Sequence, residues 1–590
     1  MAARPVATSP AKIRFEVTKS ISSDKFSRLA TFELVRDNGD TLALRTPSLM
    51  APSSRGVVPH LSSDQLPRVP GLTWVHAPFE SYLQDKTPLP ALCPDTHPLH
   101  QLMGLSPTSH IVSISLRDPS SVNEMPANTN DFIQAQCIRG CRKVRPLDYI
   151  SFVSESNPDI VVAPADTPFT PPPYSQKRIE KSISRSLTWL IQLANGLAPR
   201  PIFAPLMGGT NPNARAAFAR GLTESLDLSD WQKLNPGRSA SERKQGNDDG
   251  ALVGAKLSAT DPNLPSITAS GRVIERLDET IAGYVLELAP IQSELRAQLG
   301  KQTGTSPPPL PTTAPSARVH AFDLNTPTLA APDPLESDIV NYAEEMDKRL
   351  PELVRASFDQ LPSHKPRLAL GLALASPHVM LGLIEQGVDL IDSAVAIRCA
   401  SAGVALDFVF PVMGEHNGPK LDVGHNLYDN KYEYQFVRLS DWFADASGST
   451  DHGDKTICQC AACSPIWEAR PTVHSKIDEI DPETDSTNSK YAPPFTRAYI
   501  HHLLHTHEMS AHTLLTFHNL AVIEAMMEGA RSAIAAGTFE QELRRFEETY
   551  DGGMDILTKA ERDWRGVDRA RGKGRLAREK AAKDQNVLDE

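Results

Sequence analysis

Several things are missing from this chain of 590 residues, and each absence closes a route. No apolar run approaches the roughly 20 residues that a membrane-spanning helix needs. The opening stretch, MAARPVATSPAKIRFEVTKS, has no apolar core of the kind a secretory signal carries. It is basic and starts without acids, so a mitochondrial address stays open as the secondary alternative to the expected cytosolic start. Excess positive charge is also missing. The net charge is −12, whereas a surface that grips nucleic acid all over is usually basic. Any RNA contact then falls to local basic patches or to a partner. Cysteine is scarce, seven residues in all, and the expected compartment is reducing, where disulfides do not persist.

What is present suffices for a sizeable core, with 40% hydrophobic and 22% charged residues. The length suits a large barrel plus a subdomain, or several domains. Residues 11–50 read as strands. FELVRDNGDTLALRTP sets apolar runs on either side of Asp37-Asn38-Gly39-Asp40, a hairpin signal. From Ile111 short strands and helices alternate. HIVSISL, DIVVAPAD (Asp159 to Asp166), RPIFAPLMGG, AGYVLEL from Ala282, RLALGLALA from Arg367 and VDLIDSAV from Val388 read as strands. Lys177 to Asn195, Pro212 to Leu222, Glu336 to Leu350 and Pro377 to Gln386 read as helices. In the first of these, Ile179, Ile183, Leu187, Leu190 and Ile191 recur near the helical period. Such alternation implies a parallel sheet, and at this length an α/β fold of the (β/α)8 barrel type, with a doubly wound sheet as the alternative.

Three segments do not fit a barrel: the polar loop around Ser241 to Gly250, the Pro/Thr/Ser-rich stretch Gln302 to Ala317, and the acidic EIDPETDSTNSKYAPP before Phe495. The stretch from Leu557 to Lys583, rich in Lys, Arg, Ala and Glu, reads as a solvated helix, with phosphate contact the weaker alternative. The expected division is residues 1–60 as N-terminal strands, 61–440 as the barrel with insertions near 235–260 and 300–318, 441–555 as a metal-binding subdomain, and 556–590 as a charged tail.

The chemistry concentrates near the C-terminal end, in Cys458-Gln-Cys460-Ala-Ala-Cys463 followed by RAYIHHLL and TFHNL. Three thiols at this spacing suit one tetrahedral ion, and a histidine from a following helix can complete the set. Thiolate and imidazole ligands favour zinc, and a closed Cys3His set is structural rather than catalytic. Spacing alone leaves the fourth ligand open among His501, His502, His505, His507, His512 and His518. Cys137 and Cys141, in QCIRGCRKVR, could approach each other in a helix, but nothing nearby completes a site, and they read as structural.

The combination of CxCxxC, RAYIHHLL and a helix carrying His-Asn resembles the zinc-binding end of the tRNA-guanine transglycosylases, which implies His518 as the fourth ligand. That family exchanges a tRNA guanine for another base. One carboxylate attacks the ribose carbon, a second shuttles protons, and a pocket holds the flipped base. Gly387-Val-Asp389-Leu-Ile-Asp392-Ser-Ala-Val-Ala-Ile-Arg398 is similar to the family's nucleophile stretch and puts Asp392 at the nucleophile position. The family's DSGGFQ-like motif has no counterpart. Gly71 to Leu83, matched to it, has no glycine pair and no aspartate, and AGYVLELAP keeps only Gly283 of a glycine pair. Gly208-Gly209 matches another pair, and Asp166 a base-reading aspartate. KRIEKSISRSLTWL, ISLRDP and the pair IEQGVDLIDS and GVALDF resemble the non-catalytic branch.

The resemblance implies a TIM-like barrel with a zinc-binding subdomain and one structural zinc per chain. It implies a heterodimer with a catalytic subunit, contact with tRNA through that complex, and a cytoplasmic location that allows peripheral association with the mitochondrial outer membrane. The rivals are an active transglycosylase using Asp392 and a zinc-dependent RNA-binding protein.

Overall fold

The computed structural model describes residues 11–22, 25–69, 71–83, 87–123, 125–168, 172–235, 273–303, 348–446, 455–466 and 492–567. Outside these lie the loop around Ser241 to Gly250, nearly all of the stretch from Gln302, most of the acidic stretch before Phe495, the first part of the expected helix Glu336 to Leu350, and the tail beyond residue 567. The chain divides into two compact units. One comprises Met1–Asp64, Gly71–Ala394 and Ala530–Gln541, and the other Gln65–Pro70, Val395–Gly529 and Glu542–Glu590.

The first unit opens with an antiparallel sheet of β1 (Lys12–Ser22), β2 (Lys25–Val35) and β3 (Thr41–Thr46). Strands β2 and β3 form the expected hairpin, with Val35 opposite Thr41 and Gly39 at φ +90° in the turn. Glycine takes this conformation without a Cβ penalty.

Eight parallel strands then close into a barrel: β4 (Ser48–Pro52), β5 (Trp74–Pro78), β6 (Ile111–Ser115), β9 (Ile160–Val162), β10 (Ile202–Pro205), β11 (Gly283–Glu287), β12 (Arg367–Leu370) and β13 (Leu390–Asp392). Strand β13 pairs with β4 to close the ring. This is the barrel expected from the alternation, and it excludes the doubly wound sheet. Two strands are shorter than their apolar runs. RLALGLALA stops at Leu370 because Gly371 turns to φ +80°. VDLIDSAV stops at Asp392, and a helix begins at Ala394. A short apolar run does not distinguish a buried strand from the helix it leads into.

The barrel floor shows why β1–β3 sit where they do. Phe32, Leu34 and Leu44 share a core cluster with Trp74, Ile111, Ile160, Phe203 and Leu390 inside the barrel, and Phe32 lies 5.0 Å from Trp74, ring to ring. Two buried ion pairs rivet sheet to barrel. Arg28 Nε and Nη2 donate to Asp389 at 2.9 and 2.6 Å, and Arg36 Nε and Nη2 donate to Asp159 at 2.8 and 2.7 Å. Each aspartate immediately precedes a barrel strand, so both pairs mark the N-terminal end. Removing one partner of such a pair costs about 3–5 kcal/mol because the other charge stays buried.

At the opposite end, a second hairpin of β7 (Ile133–Cys137) and β8 (Gly140–Val144) follows β6. It carries Cys137 and Cys141, which therefore lie on a hairpin and not in a helix. Cys137 is opposite Gly140 and Cys141 is opposite Gln136, so the two thiols point to opposite faces and do not meet. The helix Gln176–Leu197 is capped by Ser175, whose hydroxyl accepts from the Arg178 amide. Its most buried first-half residues are Ser182 and Ser186, while Ile179, Ile183 and Leu187 are half-buried. Hydrogen bonds at Asp166 account for that rotation.

The second unit holds a small antiparallel ladder of β14 (Val404–Leu406) and β15 (Gly424–Asn426), the helix Arg497–His505, and most of the long helix Met509–Ala536. Among the described residues no helix is long and apolar enough to cross a membrane.

Candidate metal centre and the barrel mouth

In the second unit, Cys458, Cys460 and Cys463 come off one tight turn. The Cys458 amide donates to Ala444 O at 2.7 Å, the Ser464 amide to Cys460 O at 2.9 Å, and the Cys463 amide to Cys460 Sγ at 3.2 Å. These bonds turn the three sulfurs toward one point. His518 Nδ1 faces that point from the long helix, 4.0, 3.9 and 3.3 Å from the sulfurs of Cys458, Cys460 and Cys463. All four side chains are buried, and their ligand atoms lie within 4.8 Å of one another.

A tetrahedral zinc with Zn–S about 2.3 Å and Zn–N about 2.0 Å requires sulfur–nitrogen edges of roughly 3.6 Å. The donor set therefore fits a metal ion. Four protein donors leave no position for water, so an ion here would be structural.

Three of the other candidate histidines are used elsewhere. His501 Nδ1 is 2.9 Å from Leu427 O, His505 Nε2 is 3.1 Å from Tyr428 O, and His512 Nδ1 is 2.9 Å from Ala400 O. His518 Nε2 is 2.8 Å from Leu406 O, an arrangement that leaves Nδ1 free of its proton and aimed at the thiols. Its neighbour Asn519 accepts from the Leu406 amide at 2.8 Å. The His-Asn pair thus grips both sides of one residue of β14, which explains why the two occur together.

A second cluster in this unit joins Asp407, His425 and Asp441. Arg497, the arginine of RAYIHHLL, lies 3.1 Å from Asp441 and 3.5 Å from Asp407. The carboxylates already hold that cation, and the cluster is an ion-pair network.

In the first unit the remaining sequence candidates sit at the C-terminal end of the barrel strands, where barrel enzymes place their catalytic groups. Asp392, the last residue of β13, is 1% exposed. Its Oδ2 accepts from the Gly371 amide, and its Oδ1 from the amides of Leu372 at 3.2 Å and Ala394 at 3.1 Å. Above it, Pro119 O would stand 2.5 Å from a Cβ on Gly371, so the turn after β6 packs directly onto the loop that holds the carboxylate. Burial pushes the Asp392 carboxyl up to about 7, and nearby Asp118 adds to the rise.

Two further carboxyls meet here that no sequence motif marked as chemical. Asp118 belongs to ISLRDP, and its own carboxyl is also raised by burial. Glu80 lies in Gly71 to Leu83, the stretch without an aspartate. Its Oε1 accepts from the Asp118 amide at 2.8 Å and its Oε2 from the Gln136 amide at 2.7 Å. Burial pushes Glu80 to about 7. The available signal was position, since both acids lie just past the end of a barrel strand.

Asp166 is fully buried and fully engaged. Asn128 donates to Oδ1 at 2.7 Å, Arg178 donates to both oxygens at 2.9 Å, and Arg185 donates to Oδ2 at 3.0 Å. Its amide donates to Ser186 Oγ at 2.9 Å, and Ser182 Oγ donates to its carbonyl. Arg178, Ser182, Arg185 and Ser186 of the KRxxKSxxRSL pattern are therefore the helix groups that saturate Asp166. Burial alone would raise this carboxyl, but the guanidiniums and Asn128 outweigh it and hold it below the usual range.

Gly208 and Gly209, at φ +125° and +56°, line a cavity of about 580 Å³, open mouth included, with Thr167, Tyr174, Glu287 and Glu294. A Cβ on Gly208 would stand 2.5 Å from the Arg215 amide nitrogen, and one on Gly209 would stand 2.5 Å from Glu294 Oε2. Backbone packing requires the first glycine, and the positive φ favours the second.

Asp392 gives a pH prediction. A folded-state carboxyl near 7, against about 3.9 unfolded, binds its proton more tightly when folded. Its stabilising contribution is complete below about pH 4 and is lost as pH rises toward 7. Relative to Asp392→Asn, the wild-type chain should lose about 4 kcal/mol over that interval, because each tenfold difference in proton affinity between the folded and unfolded chain is worth about 1.4 kcal/mol. Urea denaturation of both proteins from pH 4 to 8 checks this. Parallel pH profiles would show that Asp392 stays ionised.

A family model described as queuine tRNA-ribosyltransferase matches residues 24–232 and 340–552. Among curated relatives, a queuine tRNA-ribosyltransferase accessory subunit 2 from Drosophila grimshawi is 22% identical over 524 residues, 88% of either chain. The Schizosaccharomyces pombe protein of the same name is 27% identical over 186 residues, 31% of this chain and 32% of that one. A queuine tRNA-ribosyltransferase from a Ruegeria species is 27% identical over 191 residues, 32% of this chain and 35% of that one. The chain thus spans about a third of these last two relatives.

Proposed function

Because the chain belongs to the queuine tRNA-ribosyltransferase family, we propose that it is the non-catalytic subunit of a heterodimeric queuine tRNA-ribosyltransferase. It supports exchange of guanine for queuine at the wobble position of tRNA anticodons, and its partner performs the chemistry. The observation that carries this reading is the state of Asp392. At 1% exposure, with both oxygens accepting backbone amides, it has no face to offer a ribose carbon. The saturated Asp166 supports the same reading, because a carboxylate holding two arginines has no lone pair to spend on a base.

Cys458, Cys460, Cys463 and His518 would hold one zinc, within a subdomain spanning residues 441–555. The ion would fasten the 455–466 turn to the long helix and give the subdomain a fixed shape. Beside that turn, residues 434–437 run along the start of the helix Arg497–His505, with Arg497 N donating to Val437 O at 3.0 Å and Ala498 N to Gln435 O at 2.9 Å. Tyr434 and Phe436 are 76% and 75% exposed there, and Tyr499 is 45% exposed. Aromatic side chains of this kind anchor protein interfaces. The occupant proposed for this face is the catalytic subunit, as the names of the accessory-subunit relatives suggest. A cytoplasmic location follows from the same reading.

One observation favours a second reading. Asp392 and Asp118 form an interacting carboxyl pair at the barrel mouth, which is the kind of pair base exchange needs. The deciding experiment is guanine exchange into tRNA by the purified chain, alone and mixed with a catalytic subunit. Activity in the mixture only is the expected result. Activity alone, abolished by Asp392→Asn, would make this chain an enzyme.

A further inference from the structure

The chain is acidic overall, yet two of its segments are strongly basic. Residues 132–145 contain Arg139, Arg142, Lys143 and Arg145 and no acid. Residues 176–188 contain Lys177, Arg178, Lys181 and Arg185 against Glu180 alone. The first segment is the β7–β8 hairpin, and the second is the start of the helix Gln176–Leu197.

The structure joins them. Arg185 donates to Asn130 Oδ1 at 2.8 Å and to Asn128 O at 2.9 Å, and Trp189 Nε1 donates to Asn130 O at 3.1 Å. These bonds pin the helix to the loop that leads into β7. From the hairpin side, Gln134 N donates to Asn128 Oδ1 at 2.9 Å, and Arg117 Nη2 donates to the same oxygen at 2.6 Å. Glu80 holds the Gln136 amide, which fixes the hairpin to the C-terminal rim of the barrel.

The basic groups divide by role. Arg178 and Arg185 are consumed inward by Asp166. Arg139, Lys143, Lys177 and Lys181 are exposed. Lys143 keeps its ammonium 4.6 Å from the centre of the Phe132 ring, which sets its direction. Arg145 is exposed but paired with Asp148 at 2.7 Å.

We infer that Arg139, Lys143, Lys177 and Lys181 form a phosphate-binding strip on the rim of the barrel mouth, and that its ligand is the tRNA backbone. The inference rests on the subunit reading above and goes further by naming the surface that braces the RNA. Clustered cations on a rigid hairpin and a capped helix suit a polyanion. The chain's overall negative charge repels RNA elsewhere, so the strip sets orientation as well as affinity.

The experiment uses the full chain in complex with a catalytic subunit and fluorescently labelled tRNA, with anisotropy titrations at several salt concentrations. The variants are Arg139→Glu/Lys143→Glu and Lys177→Glu/Lys181→Glu. Alanine versions cover any disturbance of the hairpin by charge reversal. Each lost phosphate contact flattens the slope of log affinity against log salt by about 0.7–0.9. Each double variant should therefore weaken binding about tenfold or more and flatten the slope by about 1.5.

Variants that co-elute with the catalytic subunit and keep both affinity and slope would overturn the strip and leave the subunit reading standing. A wild-type chain that never co-elutes would overturn the subunit reading, and the strip with it. Loss of binding to anionic lipid vesicles with unchanged tRNA affinity would assign the surface to membranes and overturn the RNA proposal.

Discussion

Cys460→Ser should empty the metal centre and unfold the turn built around it. Cys460 is fully buried, and its sulfur also accepts the Cys463 amide. A serine hydroxyl is a poor ligand for a thiophilic ion and sits on a shorter side chain, so the remaining donors no longer close a tetrahedron. In zinc-finger peptides the binding free energy, about 10–16 kcal/mol, is folding free energy. Here the residues 455–466 have little apolar core of their own, so most of their order should depend on the ion. Metal analysis should fall from one zinc per chain to none, and the melting temperature of the second unit should drop by more than about 10 °C. Hydrogen exchange should accelerate around residues 455–466 and His518, and co-elution with the catalytic subunit should be lost. A variant that keeps one zinc per chain and pairs normally would sink the assignment.

The second large effect is steric. Gly529 lies within the helix Met509–Ala536, where alanine would ordinarily gain about 1 kcal/mol over glycine. A Cβ at Gly529, however, would stand 1.8 Å from Phe410 O, 2.7 Å from Phe410 C and 3.0 Å from Pro411 Cδ. The obstacle is backbone, so no rotamer change relieves it. Ordinary overpacking costs about 1–3 kcal/mol. Gly529→Ala should exceed that range, at about 4 kcal/mol or more, by urea denaturation. Gly382→Ala is the control. That glycine is also helical, in Pro377–Glu385, but has nothing within 4 Å of its ideal Cβ. It should be neutral or slightly stabilising. Equal effects at the two positions would show that helix propensity, not contact, governs both.

Sequence and structure agree most closely where information is local. The Asp37-Asn38-Gly39-Asp40 turn, the capped helix after Ser175 and the Cys458/Cys460/Cys463 spacing each involve residues within a few positions of one another. Cys137 and Cys141 went the other way. Their spacing suits one helical turn, but the chain reverses at Ile138-Arg139, and the period of so short a segment cannot tell the two arrangements apart.

By itself, then, the amino-acid sequence determined the alternation that implies a parallel sheet, the thiol triad and the motifs that carry the family resemblance. The first two follow from periodicity and spacing along the chain, and the third rests on resemblance to a family's motifs. Spacing left six histidines open and the family resemblance implied His518; the tertiary structure turns that one toward the thiols, because facing them depends on the rotational phase of one long helix against β14. It alone brought Glu80, Asp118 and Asp392 to one barrel mouth from three strands far apart in sequence. It also enclosed the Asp392 carboxyl with backbone amides, since accessibility depends on what packs above a residue and not on the residue itself.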